Sequence, residues 1–221
     1  MPTGAYYGTK VSCAPLLASY NYGNNAVYMN NDTKDSSSNT VKIELFDINS
    51  KVLLSKQLNV HTNGNASAKA FDLPKLSKGV SFLNLSVLNK KGEQISTNFY
   101  WLSSKNDKME PNKDSASWIY TPSVEFADYK ALRTLPKANI KVEKAIKENE
   151  MQVSVSNKSN SIAFFIELIA MDDKTKEPAR PVFWSDNYIS LKPGESKKLI
   201  LSVPANNINS ISIQSRGINT I

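Results

Sequence analysis

The sequence predicts an all-β protein built from two tandem antiparallel sandwiches. Three observations carry that expectation. Apolar and polar residues alternate with period 2 in a succession of short segments, turn-forming residues separate those segments, and one polar stretch divides the chain near its middle. With 221 residues, of which 40% are apolar and 21% charged, the chain has the material for packed cores and is long enough for one large domain or two small ones.

The first residues, Ala5 to Ala14, read as the end of a helix with Pro15 just beyond it. Strands follow near 16–22, 25–30, 40–48, 52–60, 80–89 and 94–102. The clearest are Val41-Lys42-Ile43-Glu44-Leu45 and Leu83-Asn84-Leu85-Ser86-Val87, which place alternate side chains on one face. The turns between them carry residues that tolerate positive φ, as in Asn21-Tyr22-Gly23-Asn24-Asn25, Asn63-Gly64-Asn65 and Lys90-Lys91-Gly92-Glu93. Ser103 to Ser115 holds a single apolar residue, Met109, and reads as a linker or long loop. A short helix is expected over Val124 to Leu132, where Phe126, Tyr129 and Leu132 recur at three-residue spacing, with Pro136 beyond it. A second set of strands is expected near 139–146, 150–157, 162–171, 188–191, 196–203 and 210–216, with a Pro193-Gly194 turn. The expected division is a helical remnant over 1–14, a sandwich over 15–102, a linker over 103–115 and a second sandwich over 116–221. Each sandwich has the size of an immunoglobulin-like domain.

Composition also excludes function classes. One Cys and one His cannot build a disulfide framework, a multi-His metal site or a Cys/His zinc site, and no cofactor is expected. A nucleophile–His–acid triad would have to use His61. The net charge of +7 is spread along the chain and mixed with acidic residues, whereas a nucleic-acid binder concentrates its charge. No stretch approaches the ~18 consecutive apolar residues of a membrane span, and Met1 to Gly4 lacks the features of a secretory signal. No phosphate-binding glycine loop occurs.

Asn149-Glu150 has the look of a glycosidase acid/base, but it lies in a polar turn and reads as coincidence. Asp172-Asp173 reads as a solvated turn rather than a calcium site. Four Asn-x-Ser/Thr patterns, at Asn31, Asn65, Asn84 and Asn157, are unremarkable in a chain so rich in Asn and Ser. Aromatic residues are more informative: Tyr100-Trp101, Trp118 with Tyr120, and Phe183-Trp184 with Tyr188. The candidate substrate-rim residues are Trp184, Asp186, Asn187 and Tyr188, a ring beside polar groups suited to sugar hydroxyls. In the competing reading Trp101 and Phe183 are core and the remaining aromatics seal a domain interface. For the 184–188 loop a further reading packs Trp184 inward, with Asp186 and Asn187 capping the turn before Tyr188.

Gly4-Ala5-Tyr6-Tyr7-Gly8-Thr9-Lys10 with Cys13 and Pro15 resembles the end of the catalytic barrel in glycoside hydrolase family 2, most closely in its exo-β-glucosaminidase and β-mannosidase branch. Leu16 to Tyr22 and Asn98 to Leu102 resemble the first and last strands of the sandwich that follows in that family. Tyr120 to Pro136, Pro181 to Tyr188 and Leu191 to Ser196 resemble elements of the next one. Ala14 and Leu17 depart from the pattern, where more polar residues are expected. The resemblance implies a non-catalytic pair of immunoglobulin-like domains from a larger retaining β-glycosidase, often an exported enzyme. Its partners would be the catalytic barrel and N-terminal domains of the parent chain, and carbohydrate. Such enzymes use two Glu residues of the barrel, about 5 Å apart. Neither maps onto this sequence, so no catalytic residue is carried over and no hydrolysis by this segment alone is expected. The resemblance further implies that the opening helix, without its barrel neighbours, docks on the first sandwich or frays. The alternatives are a free-standing carbohydrate-binding or adhesin-like tandem, and an enzyme built on His61.

Overall fold

The computed structural model describes residues 2–76, 78–109, 121–147, 150–203 and 205–221. The chain divides into two compact units, Val11–Thr134 and a discontinuous one made of Met1–Lys10 with Leu135–Ile221.

The Val11–Thr134 unit is an antiparallel sandwich. One sheet consists of β1 (Leu16–Asn21), β2 (Ala26–Asn31) and β5 (Ala66–Asp72) in the order β1–β2–β5. The other consists of β3 (Ser37–Asp47), β4 (Val52–Thr62), β6 (Val80–Leu88) and β7 (Gln94–Ser103) in the order β4–β3–β6–β7. Val27 and Met29 of the first sheet face Val41, Ile43, Leu45, Leu83, Leu85 and Val87 of the second, and all are buried. The register explains the alternation: Val41, Ile43 and Leu45 stand opposite Val87, Leu85 and Leu83, so the middle of one face is apolar on both strands.

A two-stranded hairpin of β8 (Lys108–Met109) and β9 (Ser123–Glu125) completes this unit, followed by a single 3₁₀ turn at Lys130–Thr134. No α-helix forms over 124–132. Glu125 instead pairs with Lys108 in the hairpin and forms an ion pair with Lys105, while Ala127 donates its N–H to Asp107. These partners prevail over a weak three-residue periodicity. The two compact units divide at Thr134–Leu135. Residues 110–115 of the expected linker, with Trp118 and Tyr120, lie outside the described residues.

The second unit stacks two further antiparallel sheets. These are β10 (Ile140–Lys147), β11 (Glu150–Asn157), β15 (Ser196–Ser202) and β13 (Phe183–Trp184) in the order β10–β11–β15–β13, and β14 (Ile189–Leu191), β12 (Ala163–Asp172) and β16 (Ile211–Arg216) in the order β14–β12–β16. Met151, Val153, Val155, Leu199 and Leu201 pack against Ile166, Leu168, Ala170, Ile189 and Leu191.

One member of this core comes from the other end of the chain. The helix α1 (Gly4–Ser12) contributes Tyr7, which is only 3% exposed within the second sandwich's core. The expectation that this helix docks on the first sandwich or frays is therefore corrected.

Candidate functional site

The seat of α1 is assembled from three pieces of the second sandwich. The first is a β-bulge in β12. Ala163 pairs with Leu191 and Ile166 with Ile189, so Phe164 and Phe165 together oppose Ser190. Bulging removes ladder partners, and side chains replace them. Asn219 Oδ1 accepts the Phe164 N–H at 2.9 Å, and Ser190 Oγ accepts the Phe165 N–H at 3.1 Å. Phe165 takes a φ of 54°, a strained region for a bulky residue.

The second piece is the start of β14, where Tyr188 also has a φ of 54°. The Phe165 and Tyr188 rings lie 5.4 Å apart, and Tyr188 lies 6.0 Å from Tyr7. Gly4 sits on these rings. A Cβ there would come within 2.8 Å of Phe165 Cζ, so the close approach requires glycine unless that ring shifts. Tyr188 donates its hydroxyl to Glu167 Oε1 at 2.7 Å, and Arg216 donates through Nε and Nη2 to Glu167 Oε2 at 2.9 and 2.5 Å. The nearly buried Glu167 carboxylate is thus satisfied on both oxygens.

The third piece is the loop at 185–187, and it holds the predicted substrate-rim residues. Trp184 is 6% exposed and belongs to the core. It pairs with Leu201, an inward residue of β15, whereas Phe183 pairs with Ser202 on the outer side and is 71% exposed. Trp184 therefore presents no face to a sugar, and Phe183 is not core. Trp101, the other ring expected inside, is also exposed. The Trp184 Nε1 donor is buried without an acceptor among the described residues.

Asp186 accepts a 2.7 Å ion pair from Lys197 and, through Oδ1, the Asn187 N–H. Asn187 is buried. Its Oδ1 accepts the N–H groups of Leu168 and Tyr188, both at 2.8 Å, and its Nδ2 donates to Leu168 O at 2.9 Å. One amide side chain thereby serves Leu168 as a neighbouring strand would. Lys10, near the end of α1, donates Nζ to Ser185 O at 2.6 Å. The four residues come together beside the seat of α1.

Other candidates lie apart from this site. His61 Nδ1 stands 3.0 Å from Ser38 Oγ, its cross-strand neighbour on an exposed face. A Ser–His pair without an orienting carboxylate lacks the third group a triad needs, and no carboxylate bonds to His61 among the described residues. Glu150 opposes Lys147 at the mouth of an exposed hairpin; Asn149 lies outside the described residues. Asp172 caps its own turn, accepting the N–H groups of Lys174 and Thr175, and these bonds hold its carboxyl below the usual range. Among the described residues, no group of three or more His, Cys, Asp and Glu gathers, and no helix is long and apolar enough to cross a membrane.

Two antiparallel sandwiches of this size, with side-chain networks that position a helix, define a pair of immunoglobulin-like domains. The comparisons with known proteins specify the kind. Residues 118–220 match the family model of the exo-β-D-glucosaminidase Ig-fold domain, and residues 23–105 match that of the mannosidase Ig/CBM-like domain. The chain belongs to the non-catalytic immunoglobulin-like region of family 2 glycoside hydrolases. It is 36% identical over 211 residues to an exo-β-D-glucosaminidase of Hypocrea jecorina, covering 90% of this chain and 23% of the relative. The exo-chitosanase of Amycolatopsis orientalis superposes with a TM-score of 0.84 at 27% identity, over 98% of this chain and 27% of that one. A β-D-mannosidase from Dictyoglomus thermophilum shares the fold, with a TM-score of 0.67 at 18% identity. The chain spans about a quarter of the length of the curated relatives it matches.

Proposed function

We propose that this chain is the accessory immunoglobulin-like portion of a retaining exo-β-D-glucosaminidase, and that the loop carrying Trp184, Asp186, Asn187 and Tyr188 serves that enzyme by seating α1. The observation that carries the proposal is the extent of the likeness. Exo-β-D-glucosaminidases match 90% or more of this chain at 34–36% identity, across both sandwiches in order. The catalytic carboxylates belong to another part of such an enzyme, since retaining hydrolysis needs two of them about 5 Å apart on opposite sides of the bond.

The test is to express the complete gene product containing this chain and assay p-nitrophenyl β-D-glucosaminide beside the β-mannoside and β-galactoside. Preference for the glucosaminide, with glucosamine released from chitosan oligomer ends, is the expected result. Preference for the mannoside would shift the reading to the β-mannosidase branch. Hydrolysis by residues 1–221 alone, surviving repurification, would overturn the accessory role.

A further inference from the structure

At one end of the first sandwich, the β1–β2 turn meets the loop after β7. Tyr22 stands at this end with 47% of its surface exposed. The ring is braced from behind. Tyr20 meets it edge-on at 4.9 Å and 75°, Tyr100 meets it at 6.4 Å and 71°, and these two meet each other at 6.0 Å. Tyr100 is itself held by Asn98, which donates to its hydroxyl at 2.7 Å.

Exposed asparagines neighbour Tyr22 in the turn and in the facing loop, and each is held through its amide. Asn21 Oδ1 accepts the Gly23 N–H at 2.8 Å. Asn25 Oδ1 accepts the Tyr20 hydroxyl at 2.7 Å. Asn24 donates to the Tyr28 hydroxyl at 2.8 Å and accepts from Ala26 N at 3.2 Å. Asn106 reaches across from the second loop and donates to Tyr22 O at 3.4 Å. The Nδ2 groups of Asn21 and Asn25 and the Oδ1 of Asn106, on exposed residues, bond to no protein group among the described residues.

We propose that Tyr22, Asn21, Asn25 and Asn106 form a binding site for an oligosaccharide of pyranoses that carry equatorial hydroxyls. A flat ring suits the face of such a sugar, where the axial C–H bonds form an apolar surface. Neutral amides held in fixed orientation suit its equatorial hydroxyls, because little side-chain entropy remains to be lost on binding. The site is independent of the parent enzyme's activity and of the helix seat.

The experiment is saturation-transfer NMR and calorimetry on residues 1–221 with chitosan hexamer, chitin hexamer and cellohexaose. At least one should bind, and saturation of the tyrosine ring protons should pass to the sugar's H1, H3 and H5. Tyr22→Ala should weaken binding by about tenfold or more, the equivalent of about 1.4 kcal/mol, and Asn25→Ala by about threefold. Tyr22→Phe keeps the stacking face and should stay within about threefold of the parent chain. Tyr6→Ala, which removes an exposed ring elsewhere, should change nothing. No binding of any of the three at millimolar concentration overturns the proposal. So does binding indifferent to Tyr22→Ala, or transfer that avoids the axial protons in the unaltered chain.

Discussion

Asn31 and Asn157 hold corresponding corners of the two sandwiches. Each is the last residue of the second strand of its domain, and each is essentially inaccessible, at 0% and 1% exposure. Each amide oxygen accepts the N–H and the hydroxyl of the residue two positions on, Thr33 at 3.0 and 2.6 Å and Ser159 at 3.0 and 2.7 Å. Each amide nitrogen donates to the carbonyl four positions on, Asp35 or Ser161, and to a carbonyl from elsewhere in the sandwich, Thr62 or Leu191. The Asn-x-Ser/Thr patterns at 31 and 157 therefore have a structural cause, since the hydroxyl is part of the joint. Truncating either amide leaves buried carbonyls and an N–H without partners. Asn157→Ala should cost about 2–3 kcal/mol, more than the usual worth of a single exchanged hydrogen bond, because the desolvated groups stay behind. For a domain of this size that is a fall of roughly 10 °C or more in the midpoint of calorimetric unfolding. Lys158→Ala, on the exposed residue between, should move it by under about 0.5 kcal/mol. Equal shifts for the two variants would assign Asn157 no special role.

Where elements meet, tyrosine hydroxyls mark the contacts, and this makes stability depend on alkaline pH. Burial, then the hydrogen bond to Glu167, pushes Tyr188 up to about 12 at the joint between β12 and β14. Burial, then Tyr129, Tyr100 and Tyr20, pushes Tyr22 up to about 12 beside β1 and β7. Burial also raises Tyr7, Tyr20, Tyr100 and Tyr129. An unfolded tyrosine ionises near pH 10. The folded pKa values lie above that, so their stabilising contribution is complete below pH about 10 and is lost as the pH rises toward about 12. Absorbance at 295 nm should show part of the nine tyrosines ionising only above pH about 11 in the native protein, merging into one step near 10 in urea. A single native step near 10 would contradict this. The same elements show what the sequence makes legible. The longer strands were readable because alternation such as Val41-Ile43-Leu45 records which face is buried. β5, with Ala66-Ser67-Ala68-Lys69-Ala70, was not, because small side chains leave the alternation faint. In Phe183-Trp184, the sequence does not reveal which ring turns inward. That depends on pairing with Leu201, a contact made across the sheet rather than along the chain. The helix seat was hidden for a similar reason: Asn187, Glu167, Phe165 and Tyr7 are scattered through the sequence, and only the bulge in β12 gathers them.

Across the whole molecule, chain order and domain membership differ. A helix that precedes the first sandwich in sequence completes the second, so the unit containing Leu135–Ile221 is discontinuous and Val11–Thr134 is inserted into it. Removing Tyr7 from the core should therefore weaken the distant part of the sequence, not the adjacent part. Truncating a large buried aromatic costs about 3–5 kcal/mol where the site does not collapse. Here collapse is resisted, because Phe165 and Tyr188 are fixed at positive φ by the bulge and by the Asn187 and Ser190 bonds. Tyr7→Ala should thus lower the hydrogen-exchange protection of β12, β14 and β15 amides by roughly two to three powers of ten, while β2, β3 and β6 amides keep theirs. Segments cut at the unit boundary extend the argument. Residues 11–134 carry a complete core and should fold alone. Residues 135–221 alone should melt at a lower temperature than the same unit does in the full chain. A synthetic peptide of residues 2–12 added in trans should raise that melting temperature in a concentration-dependent way, since anything that binds only the folded state stabilises it by mass action. The Tyr7→Ala peptide should not. Undiminished stability of 135–221 without the helix, or a loss of protection confined to the first sandwich in Tyr7→Ala, would show that α1 is not an integral part of the second domain.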